Sequence, residues 1–389
     1  MATQSIFLGI FLGLIFVIIG SQLLKYYLKI PAIYSSMIAG YVFAQTSIPF
    51  IGYIRLEELY PFINSFIAVI YYELGRRINI GWILSKKLFF LGFIGILSLL
   101  FLSFYYVLIY FGLDSRSAHL IAAILISTSP AFVLFTVKEL HSEGYLTENI
   151  IHIIGISNIL GLLLFSTFVD ISNYSSLIAL SFESISELIK FSFSAILGLS
   201  IALILNRISN LLRFDSDTQF ILISLFILSA FFFSIQFNLS PMITLLMLGL
   251  FTKIKNYRVN FHKSDLGIIS NFSYLIIFIF AGYHLGNMTF VLEHLLIAII
   301  LILIKISIPI ICMIPSYKIN TLSLKKTSLV SLSLVSISSV AILLALDLNT
   351  FENETNTIAM SILWSVVFIS ELIGPALLYF SLKASREAR

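Results

Sequence analysis

Apolar runs dominate the chain, and short polar, Gly- or Pro-bearing stretches break them at intervals along all 389 residues. An apolar run of roughly 18 residues or more is the signature of a helix that crosses a bilayer. Splitting the chain at its punctuation predicts thirteen spans, at about 4–25, 31–49, 59–75, 88–112, 117–138, 147–169, 188–206, 218–236, 240–252, 267–286, 291–315, 327–346 and 357–382. The run 240–252 is short for a crossing, but Lys253 and Lys255 at its exit mark a membrane boundary. The expected class is an all-α polytopic membrane protein, one transmembrane domain over 1–389 with no soluble domain.

Residues 126–165 form the centre of this pattern, two apolar helices joined by a polar turn. The first carries Thr128-Ser129-Pro130 in its middle, and the second carries Ser157-Asn158. Pro130 has no N–H to donate and disfavours helical geometry at Ser129. A broken helix facing a polar dipeptide at the same depth is how many transporters build a substrate site. Span 12, SLVSLSLVSISSVAILLAL, holds Ser328, Ser331, Ser333, Ser336, Ser338 and Ser339. Hydroxyls at that density bend a helix by bonding back to its carbonyls; they also suit close packing through small residues. The match in position with span 5 favours a second break, at Ser336 and Ser338.

Charge sets the topology. Nineteen of the 23 basic residues fall in segments after odd-numbered spans, and only Arg55 and Arg116 after even-numbered ones. By the positive-inside rule the N-terminus lies outside and the C-terminus in the cytoplasm. An odd count makes two six-helix halves inverted-topology repeats: a first repeat of about 1–170, a linker helix of about 186–207 and a second repeat of about 217–382. MATQSIFLGIFLGLIFVIIG lacks a basic leader and a small-residue cleavage site, so it reads as a retained first helix.

Composition then narrows the function. The chain is 59% hydrophobic and 11% charged with mean hydropathy +1.05, against roughly 25% charged residues in soluble domains. Cys312 is the sole cysteine, and the six histidines show no metal-binding spacing. No phosphate-binding glycine motif occurs, so the expectation is a transporter and not an enzyme, with no cofactor, no metal and no nucleic-acid partner.

Two basic residues lie within spans. Lys190, near a span end, can snorkel to the interface. Lys305 sits deep in LLIAIILILIKISIPIICMI, where a charge costs about 3 kcal/mol even on the lenient insertion scale. It needs a partner, a water-filled cavity or a neutral state. Glu371, in LWSVVFISELIGPALLYF, is the one mid-span carboxylate, and whether it pairs with Lys305 stays open. Glu73 is expected to pair with Arg76 or Arg77 at helical spacing. His152 reads as hydrogen-bonded packing more readily than as a proton relay.

These residues resemble the monovalent cation/proton antiporter superfamily, the bacterial sodium/proton and potassium-efflux exchangers with thirteen helices. The resemblance rests on six segments in order: IPAIYSSMIAGYVFAQT, STSPAFVLFTVKEL, NLSPMITLLMLGLFTK, FSYLIIFIFAGYHLG, LSLVSISSVAILLAL and SELIGPALLYFSL. It implies crossing broken helices, elevator-type alternating access, a homodimer in the inner membrane, and monovalent cations and protons as partners. It also places the ion site on span 6 beside the broken span 5. The family's aspartate pair falls on Ser157-Asn158, and Lys305 falls on the basic residue that pairs with or competes at that site.

The chain departs from the pattern here, since neither 157 nor 158 is an aspartate. A cation would find neutral oxygens on Thr128, Ser129, Ser157 and Asn158, and none of these titrates near neutral pH. Three mechanisms follow: antiport with Lys305 or Glu371 as the titrating, charge-balancing group; transport of an anionic or neutral solute on the same fold; or a transport-inactive regulatory homologue.

Overall fold

The structure, a computed structural model, describes residues 15, 17–27, 32–45, 56–171, 177–212, 216–255, 266–286, 291–313, 324–337 and 354–388. Among these the regular structure is helical, apart from one isolated bridge. The helices are α1 (17–27), α2 (Ala32–Gln45), α3 (Leu56–Arg77), α4 (Ile80–Ser85), α5 (Lys87–Tyr110), α6 (Ser115–Ile126), α7 (Pro130–Glu139) and α8 (Tyr145–Ile171). There follow α9 (Leu177–Leu212), α10 (Ser216–Gln236), α11 (Pro241–Lys255), α12 (Leu266–Gly286), α13 (Leu292–Met313), α14 (Leu324–Ser333) and α15 (Glu354–Ala384). Every expected span overlaps a described helix; the fifth comes as two halves, α6 and α7, and the described part of the twelfth is helical to Ser333. The short α4, capped by the Asn79 side chain on Trp82 N at 3.3 Å, was not expected. Among the described residues, six helices are long and apolar enough to cross a membrane. Their outward faces carry exposed Leu, Ile and Phe such as Leu102, Phe193 and Phe232, which suits contact with lipid.

The chain divides into two compact units. In the first, Met1–Ile70 with Ser264–Thr289, α2 packs along α12. A Cβ on Gly40 would strike the Ile279 carbonyl, and one on Gly282 would strike that of Met37. Small residues bring the two backbones into contact where side chains would hold them apart.

The second unit, Tyr71–Lys263 with Phe290–Arg389, uses the same device between the end of α3 and α11. A Cβ on Gly75 would meet the Leu246 carbonyl, and one on Gly249 the Tyr72 carbonyl. The register repeats: Gly249 follows Gly40 by 209 residues, and Ile337 follows Thr128, its bridge partner, by the same 209. Gly249→Ala is therefore expected to destabilise the protein by about 1–3 kcal/mol, as overpacking does. Gly92→Ala, with no atom within 4 Å of its Cβ position, is expected to be neutral or stabilising through helix propensity. Thermal unfolding in detergent separates the two signs.

Several charged side chains have partners that hold the ends of this unit. Glu73 pairs with Arg77 at 3.3 Å and with Lys138 at 2.9 Å, so the expected helical pair is joined by a residue from α7. Lys190 reaches Glu187 at 2.5 Å. His152 is buried; its Nε2 accepts from Asn79 N at 2.8 Å, and its Nδ1 lies 2.5 Å from the Glu148 carbonyl. With one ring nitrogen accepting and the other donating, the imidazole is neutral and structural.

A clasp closes the second unit near the C-terminus. Glu387 accepts from Leu146 N and Thr147 N, each at 2.9 Å, from Thr147 Oγ1 at 3.0 Å and from Lys326 at 3.2 Å. It caps the N-terminus of α8, where a carboxylate also meets the positive end of the helix dipole. The lysine ties that end to α14. Burial alone raises the Glu387 carboxyl, but the Leu146 and Thr147 donors and Lys326 outweigh it and hold the group below its ordinary value. A depressed carboxyl stabilises the fold above its unfolded pKa, and the contribution is lost as pH falls through the folded value. Glu387→Gln is thus expected to cost about 1–2 kcal/mol near neutral pH, the scale of a lost cap. The gap should close in acid; an offset that persists unchanged there would show a contact independent of charge.

Candidate functional site

Asp114 starts α6 by accepting Ser117 N at 3.0 Å, and the helix runs to Ile126. Ser127 then adopts φ −72, ψ 146, and Ser129 φ −69, ψ 113, so both bounds of the break are extended. The cause is local. Pro130 excludes helical geometry at Ser129 and is itself well placed as the first residue of α7. Ser129 caps α7 by accepting Phe132 N at 3.4 Å.

A second interrupted stretch satisfies the backbone groups this break exposes. After α14 ends at Ser333, Ile337 forms an antiparallel bridge with Thr128. Ser129 N donates to Ser336 O at 3.2 Å, and Thr128 Oγ1 donates to Leu334 O at 3.2 Å. The serines of α14 bond back to their own helix, Ser328 to Lys325 O at 2.8 Å and Ser333 to Val330 O at 2.6 Å. Ser338 lies outside the described residues.

The polar dipeptide of α8 reaches this crossing through Asn158 alone. Asn158 Nδ2 donates to Thr128 O at 2.6 Å and to Ile154 O at 2.9 Å, while Oδ1 accepts from Tyr71 OH at 2.9 Å. The hydroxyl of Ser157 turns back to Ile154 O at 3.0 Å. Gly161, one turn further on, lets α8 approach α6: a Cβ there would lie 3.0 Å from Ala123 O. Lys305 completes the set by donating to Ser127 O at 3.0 Å. Its Nζ thus sits at the C-terminal end of α6, the negative end of that half-helix dipole, which favours a positive charge there.

Thr128, Ser129, Ser157, Asn158, Ser336, Lys305 and Glu371 are all buried. The structure brings Thr128, Ser129 and Asn158 together around the break and adds Lys305 to them, while Ser157 bonds only within its own helix. It does not join Lys305 to Glu371 by an ion pair or hydrogen bond, and Glu371 Oε2 has no hydrogen-bond partner. Of the oxygens expected to hold a cation, Ser157 Oγ donates to its own helix, and Asn158 Oδ1 and Ser129 Oγ already accept bonds. Tyr71 is the participant that sequence reasoning missed. Its one signal was a tyrosine inside an apolar helix, where the hydroxyl needs a partner.

Lys305 and Glu371 share a further feature. Pro309 lies four residues after Lys305 and Pro375 four residues after Glu371, each inside its helix. Neither proline has an N–H for the carbonyl four residues before it. Each charged residue therefore sits where its own helix has lost a main-chain bond. No group of three or more His, Cys, Asp or Glu that could hold a metal occurs among the described residues.

A broken helix whose exposed backbone bonds to a second non-helical stretch, with a buried lysine beside it, is an arrangement that secondary transporters use. Comparison with known proteins specifies which kind. Residues 6–383 match the family described as sodium/hydrogen exchanger, transmembrane, and the chain belongs to that family. It is similar to a structure of the sodium proton antiporter MjNhaP1 from Methanocaldococcus jannaschii at pH 8, with TM-score 0.68 and 16% identity over 98% of this chain and 99% of that one. An electron-microscopy map of the same antiporter gives TM-score 0.71 and 15% identity over the same shares. No curated protein matches the chain.

Proposed function

We propose that this protein exchanges a monovalent cation, sodium or potassium, for protons by elevator-type alternating access. Membership of the sodium/hydrogen exchanger family supports the reaction class. The observation that carries the reading is the Lys305 ammonium, buried and bonded to Ser127 O at the end of a broken half-helix, in a crossing that has no aspartate at 157 or 158. In the proton-loaded state the ammonium occupies the crossing. When it gives its proton to the open side, the neutral amine withdraws and a cation enters. The Glu387 clasp supports motion of α8 and α14 together, since it joins their first turns. The reading includes a homodimer in the inner membrane, with the N-terminus outside and the C-terminus in the cytoplasm; the segregation of basic residues supports that orientation.

One observation favours a second reading, a transport-inactive homologue: Asn158 and Ser157 are both committed to internal hydrogen bonds. A single assay separates the two. In proteoliposomes with an imposed pH gradient followed by a pH-sensitive dye, sodium, lithium or potassium is expected to collapse the gradient. Failure of all three overturns the exchange reading.

A further inference from the structure

The crossing leaves two polar side chains without partners, and both are on its second-repeat side. Glu371 is 1% exposed and Ser336 0% exposed, yet Glu371 Oε2 and Ser336 Oγ make no hydrogen bond. The segments that carry them touch. A Cβ on Gly374 would lie 2.9 Å from both Cα and Cβ of Ser336, so α15 touches the interrupted stretch there. Glu371, three residues before Gly374, lies on the same helix face one turn away. Pro375 adds a third oxygen, because it cannot donate to the Glu371 main-chain carbonyl.

We propose that Glu371, through its carboxylate and main-chain carbonyl and together with the Ser336 hydroxyl, is the binding site for the exchanged monovalent cation. The proposal rests on the exchange reading and locates its ion away from Ser157-Asn158. Three arguments support it. First, an ionised carboxylate buried without a partner is strongly unfavourable, so the group must hold a proton or a cation. Both are the exchanger's cargo. Second, a carboxylate, a hydroxyl and a carbonyl are hard oxygen donors that suit an alkali cation and not a soft metal. Third, the site holds one carboxylate, which balances a single positive charge; a divalent ion would leave a buried charge uncompensated. The crossing at Ser157-Asn158 offers only neutral oxygens by contrast, and Lys305 is held on Ser127 O beside it.

The test measures thermal stabilisation of the purified full-length protein by sodium, lithium and potassium chloride, with choline chloride as control, and cation KM in proteoliposomes. Wild type is expected to be stabilised by the cation it exchanges. Glu371→Gln is expected to lose that stabilisation and to raise KM by about tenfold or more, the scale of one lost charged ligand. Ser336→Ala is expected to raise KM several-fold. Glu371→Asp, which keeps the charge but shortens its reach, should fold and change the preference among the three cations. Ser370→Ala, whose hydroxyl bonds its own helix at Val367 O, serves as the packing control and should leave KM unchanged. A folded Glu371→Gln that exchanges with wild-type KM overturns the site while leaving exchange intact. Cation stabilisation abolished by Glu371→Gln in a protein that exchanges nothing would uphold the site and overturn the exchange reading.

Discussion

Asn158→Asp, which returns a carboxylate to a position where the family carries one, is expected to destabilise this protein by roughly 3 kcal/mol, the cost of a buried charge left uncompensated. The reason lies in the two donations of Asn158 Nδ2, to Thr128 O and Ile154 O. An ionised aspartate has no donor and would set a carboxylate oxygen against the Thr128 carbonyl at 2.6 Å. Tyr71 would still donate to one oxygen, as it does now. Asn158→Ala is expected to cost less, about 1–3 kcal/mol, because it leaves buried groups unpaired without adding charge. Thermal unfolding of both variants gives the order. Added sodium should recover part of the loss in the aspartate variant and none in the alanine one. An Asn158→Asp protein as stable as wild type would show that the crossing tolerates the family's charge and that Asn158 is not its brace.

Lys305→Arg is expected to fold like wild type and to lose proton-coupled exchange by about 100-fold, which corresponds to roughly 2.7 kcal/mol of lost transition-state stabilisation. Arginine keeps a positive charge and can donate to Ser127 O, but it does not release its proton in a protein. Lys305→Ala is expected to lose exchange to the same degree and stability as well, since Ser127 O would then be a buried acceptor without its donor. The pair separates the structural bond from the proton step. A Lys305→Arg protein that dissipates a pH gradient at the wild-type rate would remove Lys305 from the proton step and leave Glu371 as the remaining titrating group.

Much of this architecture is legible in the sequence, for physical reasons that differ between elements. The spans could be read because a bilayer demands long apolar helices, and few other arrangements satisfy the backbone there. The first break could be read because Pro130 acts on its own neighbours and needs no tertiary contact to do so. The second was weaker, since a serine-rich helix equally signals close packing; only its match in position with the first pointed to a crossing. The short α4 carries no periodic signal, because six residues make less than two turns. What could not be read is which donor takes which acceptor. Tyr71 lies 87 residues from Asn158 and Lys305 lies 178 from Ser127, so each pairing depends on the packed bundle. The same holds for the separate fates of Lys305 and Glu371, which composition treats as a natural pair. The spacing of each to a proline four residues on was visible in the chain, but it acquires meaning only once both helices are seen to continue through Pro309 and Pro375.

The central claim is that a charge carried by Lys305 and Glu371 replaces the missing aspartates in coupling a cation to a proton. The most direct test follows labelled cation entry and proton release in the same wild-type proteoliposomes, with Lys305→Arg prepared in parallel. The account predicts that proton release tracks cation entry in wild type and that both stop in the variant. Cation entry with no accompanying proton release in wild type, or coupled exchange that survives in Lys305→Arg, would contradict it.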